Sequence, residues 1–167
     1  MVRTDGDRED PNATDLGCCE RRIRQDSLPV TFDHEPGEDV NARSNDGRTA
    51  LMDAAGSGQI EIVNMLIAAH ANVNAWSKDG NTALTTAAGI DCVRALITAH
   101  ADVNVKDING FTPLMHAAST GNFSVVNALI AAGANLNATA FGEMTPLNMA
   151  QSHPDVAAIL RAAGAKK

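Results

Sequence analysis

The sequence predicts an all-α repeat solenoid: short helix–turn–helix units stacked side by side and joined by hairpin-like loops. Three observations carry this. Thr49, Thr82, Thr112 and Thr145 open matching segments and are spaced by 33, 30 and 33 residues, a period that belongs to repeat arrays. Within each period a tight-turn sequence precedes two short runs with helical apolar spacing. A single unit of this kind has nothing to cover its apolar face, whereas a stack does. The composition is 44% hydrophobic but only 3% aromatic. That suits thin, alanine-rich helices lying close together better than a deep pocket lined by aromatic rings.

The chain opens with a polar lead, residues 1–36, holding five Arg against nine acids (5 − 9 = −4). Residues 37–167 hold eight Lys/Arg against eleven acids (8 − 11 = −3). Residues 1–15 read as disordered, being rich in Asp and Arg and broken by Gly6 and Pro11. A short helix is expected from Asp15 to Arg24, because Leu16, Cys19 and Ile23 fall at i, i+3 and i+7 and Asp15 can cap it. Such a helix would cover the open edge of the first unit. Residues 37–43 (Gly-Glu-Asp-Val-Asn-Ala-Arg) match the tail of a unit without the helices that should precede it, and so form a remnant.

Four units follow, at 44–76, 77–106, 107–139 and 140–165. The third is the most regular. Ile108-Asn109-Gly110 is a turn sequence, like Asn45-Asp46-Gly47 and Lys78-Asp79-Gly80, because Gly takes positive φ without a steric penalty. Thr112 is an N-cap and Pro113 a first-turn residue. Leu114, Ala117 and Ala118 share one helix face. Gly121 ends that helix, and Val125, Val126, Leu129 and Ile130 point a second helix inward. Gly133 suits the left-handed position after it.

The first unit has the same pattern, in Leu51, Ala54 and Ala55, then Ile60, Ile62, Val63, Leu66 and Ile67. The second is three residues short, and the shortening is read as an inter-helix turn cut to Gly89-Ile90-Asp91. Leu96 and Cys92 belong to its second helix, Cys92 as a small core residue. The fourth is two residues short at Ser152-His153-Pro154-Asp155, with Pro154 opening its second helix. It also replaces the Asp-Gly turn with Phe141-Gly142-Glu143-Met144, its Gly one place early.

These residues are similar to the ankyrin-repeat pattern, D-x-x-G-x-T-P-L-H-x-A-A-x-x-G followed by I-V-x-x-L-L-x-x-G-A-D-V-N-A. About four copies cover three quarters of the chain. The resemblance implies a concave surface of hairpin tips and first helices that holds a partner protein. Carried over position by position, its variable tip residues are Asn45, Asp46, Arg48 and Trp76 at the first unit. At the second they are Lys78, Asp79, Asn81 and Lys106, and at the third Ile108, Asn109 and Phe111. The first-helix end positions are Gly56, Ser57, Gly89, Ile90, Ser119 and Thr120. Trp76, Ile108 and Phe111 are the apolar members. Aromatic and Arg side chains carry most of the energy at interfaces.

The remaining chemistry is sparse. His70 and His100 hold equivalent positions where the family places Gly. They read as residues that accept the left-handed conformation, not as a zinc pair, because stacked units sit about 10 Å apart. His116 reads as a packed residue and Asp53 as a solvated carboxylate. No P-loop, dinucleotide fingerprint, nucleophile elbow or HExxH is present, so neither an enzyme nor a bound cofactor or metal is expected. A net charge of −7 argues against nucleic acid and anionic membrane surfaces as partners.

The first ten residues lack a signal-peptide core, and three cysteines, two of them adjacent, do not make a disulfide framework. The expected protein is cytoplasmic, monomeric by itself and non-catalytic, with another protein as its partner. Two alternatives follow from the lead: a regulatory or inhibitory subunit acting through its acidic residues, and a metal- or redox-responsive switch at Cys18, Cys19 and His34.

Overall fold

A computed structural model describes residues 39–166. The expected helix over Asp15–Arg24, Gly37 and Glu38 of the remnant, and Cys18, Cys19 and His34 lie outside these residues.

The described residues form eight α-helices in four pairs and no strands. They are α1 (Ala50–Gly56) and α2 (Ile60–Ala68), α3 (Ala83–Thr86) and α4 (Ile90–Thr98), α5 (Pro113–Ser119) and α6 (Phe123–Ala131), and α7 (Pro146–Met149) and α8 (Pro154–Ala162). First helices pack against first helices (α1 on α3 and α5 on α7), and second helices against second helices through α2, α4, α6 and α8.

Each first helix starts at its predicted threonine. The hydroxyls of Thr49, Thr82, Thr112 and Thr145 accept from the backbone N–H three residues on, and Thr82 and Thr85 complete a reciprocal capping box. Each second helix ends in a Schellman turn. The N–H groups of Ala71, Ala101, Ala134 and Ala165 donate to Leu66, Leu96, Leu129 and Leu160. The residue between must be left-handed. His70 and His100 adopt φ 62° and 63° there, and Gly133 and Gly164 φ 84° and 99°.

The core is a ladder of equivalents. Leu51, Leu84, Leu114 and Leu147 are buried in the first helices, and Leu66, Leu96, Leu129 and Leu160 in the second. Ala54, Ala55, Ala117 and Ala118 are buried as well and leave room for the neighbouring unit. Cys92 is buried, as its place in the pattern requires. Ile62 is only half-buried, although its equivalents Cys92, Val125 and Val156 are buried, since no described unit lies before it.

The reading of the second unit needs correction. The missing residues do not come from the turn alone. The first helix is cut from seven residues to four and ends at Thr86, while the second keeps nine. Ile90 and Asp91 are therefore the first residues of α4, and Gly89 is its N-cap at φ 130°. Three residues make about one helical turn. Removing them from the free end of α3 keeps all four second helices in line. Ala88 N–H ties the shortened unit to the preceding one by donating to Ala55 O at 2.9 Å, and the Thr86 hydroxyl, 3.1 Å from Thr82 O, also lies 3.3 Å from Met52 O across the boundary.

In the fourth unit the shift of Gly142 has a visible consequence. The left-handed corner filled by Gly47, Gly80 and Gly110 falls on Glu143, at φ 59°.

Candidate protein-binding surface

Two backbone features turn the hairpin edge into one continuous surface. Adjacent tips are tied by a single hydrogen bond each: Lys78 N–H to Asp46 O (2.9 Å), Ile108 N–H to Asp79 O (3.2 Å), and Phe141 N–H to Asn109 O (3.1 Å). Beneath them runs an asparagine ladder. The amide oxygens of Asn41, Asn74, Asn104 and Asn137 accept from the N–H groups of Asn72, Asp102, Asn135 and Lys166 at 2.7–2.8 Å. Asn74 and Asn104 also donate to His100 O and Gly133 O. The remnant at 39–43 thus supplies the first rung of the ladder. Sequence reasoning gave these asparagines no structural role, the family resemblance only allowing hydroxylation at Asn74 and Asn104, although their spacing of 33, 30 and 33 residues was the available signal.

The tips hold their shape internally. In the first three, the residue that opens the turn (Ser44, Ser77 or Asp107) receives the same two bonds, and Asp107 Oδ1 a further one from Asn109 N–H at 2.8 Å. The backbone carbonyl of each accepts from Gly47, Gly80 or Gly110, and its side chain accepts from the N–H of Arg48, Asn81 or Phe111. Asp107 is nearly enclosed (7% side-chain exposure) and also meets His116 Nε2 at 3.2 Å.

The predicted site residues divide by environment. Asn45, Asp46, Lys78, Asp79, Ile108 and Asn109 are exposed on the tips, and Trp76 and Lys106 on the arms leading into them. Trp76 is 64% and Ile108 68% exposed. Arg48, Asn81 and Phe111 are half-buried on the inner arm. There they face the first helices: Arg48 Nε donates to Asp53 Oδ1 at 2.6 Å, and the Phe111 ring lies tilted on the His116 ring at 5.8 Å. Asp53 is consequently ion-paired and half-buried, not the solvated carboxylate expected from the sequence, because Arg48 sits one hairpin arm above it. At the first-helix ends Gly56, Ser57, Ser119 and Thr120 are exposed. Gly89 and Ile90 belong to the second helix, as described above.

Two apolar residues of the fourth turn were not among the predicted site residues. Phe141 is 81% exposed and Met144 41%, in the irregular fourth turn that masked their equivalence to Ile108 and Phe111. On the second-helix side, Phe123 is 51% exposed beside a shallow groove between α4 and α6, bordered by Arg94, Ile97 and Ala128. Burial raises the Cys92 thiol above its usual range, and the nearby carboxylates of Asp91 and Glu61 add to the rise. Among the described residues no three His, Cys, Asp or Glu side chains gather to hold a metal ion, and no helix is long and apolar enough to cross a membrane.

Four stacked helix pairs with a bonded hairpin edge define a short helical repeat solenoid. The chain belongs to the ankyrin-repeat family: the family model for ankyrin repeats (3 copies) matches residues 30–107 and 89–167. No curated protein matches the chain. Ankyrin repeats are generally protein–protein interaction modules.

Proposed function

We propose that this protein is a non-catalytic binding module that holds a partner protein along its hairpin tips and the first-helix face. It acts as a cytoplasmic monomer without a cofactor, and neither nucleic acid nor membrane is its target. The observation that carries this reading is the exposure of Trp76, Ile108 and Phe141 on hairpin tips that are hydrogen-bonded to one another. Large apolar side chains held in water on rigid arms are the residue types that anchor interfaces, and a rigid scaffold keeps the entropy cost of binding low. The tip residues Asn45, Asp46, Arg48, Lys78, Asp79, Asn81, Asn109 and Phe111 supply the polar and half-buried surround.

The test is capture of a partner from lysate of the source cell, with wild type beside the double variant Trp76→Ala, Phe141→Ala. Both side chains are exposed, so the variant is expected to keep its helical circular dichroism. A partner held by wild type and lost by the folded variant is the expected result. A partner held equally by both removes the tips from the interface.

A further inference from the structure

The exposed positions of the hairpin arms form a pattern that net charge conceals. Counting back from each opening threonine, the sixth and fourth positions are Arg43 and Asn45, Trp76 and Lys78, Lys106 and Ile108, and Thr139 and Phe141. All eight are exposed. The positions between and before them mostly turn inward: Ala75, Ser77 and Ala138 are buried, and Ser44, Val105, Asp107 and Ala140 are half-buried, whereas Ala42 and the next residues toward the turn, Asp46, Asp79, Asn109 and Gly142, are exposed. The outward row therefore carries three cations, three large apolar side chains and no acid. The chain as a whole has 20 acids against 13 Lys and Arg.

The row is held in place. Arg43 Nη1 donates to Trp76 O at 2.7 Å, and Lys106 Nζ donates to Thr139 O at 2.9 Å. These two cations are thereby laid along the array toward the next unit. A neutral carbonyl steadies a cation without cancelling its charge. The ion pairs among the described residues are Arg48 with Asp53 and His116 with Asp107, and neither involves Arg43, Lys78 or Lys106. The order along the edge is cation, Trp, cation, cation, Ile, Phe. Asp46 and Asp79 border the row at the corner of the turns.

We infer that this row is the docking face for an extended, acidic segment of a partner protein that carries large apolar side chains. The inference rests on the protein-binding reading above and gives it a chemistry. Apolar side chains of the segment would lie on Trp76, Ile108 and Phe141, and its carboxylates would meet Arg43, Lys78 and Lys106. Charge complementarity of this kind sets partner choice and association rate. Asp46 and Asp79 would oppose acids placed at the turn corners and so fix the segment's register.

The experiment is selection of random dodecapeptides displayed on phage against the full-length protein, followed by fluorescence anisotropy of the enriched peptides at low and high salt. Expected are peptides rich in Asp and Glu interspersed with Leu, Phe or Trp. Affinity should fall by about tenfold or more in the variant Lys78→Glu, Lys106→Glu and with added salt, and rise in Asp46→Asn, Asp79→Asn. Circular dichroism of each variant confirms its fold.

Enrichment of neutral or basic peptides, no enrichment, or affinity indifferent to the charge reversal overturns the inference. So does oligothymidylate bound through the same lysines. Enrichment only in a variant with Asp5, Asp7, Glu9 and Asp10 changed to Asn or Gln gives the face to the chain's own lead and overturns it too. If the lysate partner is captured through Trp76 and Phe141 while the peptide selection fails, the binding reading stands and only its chemistry falls.

Discussion

Leu96→Ala tests the register of the array at its weakest point. Leu96 is fully buried in α4, in the unit whose first helix is four residues long. Truncation to Ala removes three carbons from a site walled by second helices on both sides. With little freedom to collapse, the expected cost is about 3–4 kcal/mol, in the upper half of the range for buried Leu. A domain of this size has roughly 5–15 kcal/mol in total, so the loss is a large share of it. With a urea dependence of about 2 kcal/mol per molar, the unfolding midpoint should fall by about 1.5–2 M. Far-UV circular dichroism follows the whole array, and fluorescence of Trp76, the only tryptophan, follows the boundary of the first two units. In a one-dimensional stack a weakened centre uncouples the ends, so the two signals should separate. Leu160→Ala is the control. Its residue is equally buried but lies in the last described unit, where α8 has a neighbouring second helix (α6) on one side only, and should cost about 2 kcal/mol. A midpoint shift below about 0.5 M for Leu96→Ala would refute the assignment of Leu96 to the shared core.

Four further outcomes are expected. Gly121→Ala places a methyl group on the His153 ring at φ 70° and should destabilise by about 2 kcal/mol or more, whereas Gly133→Ala, with open space around it, should lose only about 1 kcal/mol; paired urea melts compare them. Glu143→Gly relieves a left-handed non-glycine corner and should raise the unfolding midpoint by up to about 1 kcal/mol equivalent, while a lowered midpoint would mean that the Glu143 side chain is needed. Asn104→Ala removes one ladder rung, costs about 1 kcal/mol and should speed hydrogen exchange at the Asn135 amide more than at the Asp102 amide. Cys92 has a thiol raised in the folded state, so the unfolded chain loses its proton first; the contribution is intact below the ordinary thiol range and lost as pH climbs through it. Wild type should therefore lose more stability than Cys92→Ala between pH 8 and pH 10, and parallel slopes would contradict this.

Much of this protein was determined by the sequence alone. The threonine caps, the inward leucines and the left-handed histidines follow from local rules: a hydroxyl three residues before a free N–H, a 3.6-residue period, and the tolerance of a backbone site for positive φ. Repetition tests each rule against its equivalents in the neighbouring units. Tertiary structure decided what depends on contact between units. The three-residue deletion shortened α3 rather than the turn because stacking keeps the second helices in line. Asp53 found Arg48, and Phe111 turned toward His116, because the inner hairpin arm folds back over the first helix. Phe141 joined the tip row although its turn lacks the usual pattern, because its N–H bonds to Asn109 of the preceding tip. The alternation that sets Arg43, Trp76, Lys78, Lys106, Ile108 and Phe141 on one outward row lies across four unit boundaries, counting that of the remnant. Those residues are up to about a hundred positions apart in sequence, and only the stacking of the units puts them side by side.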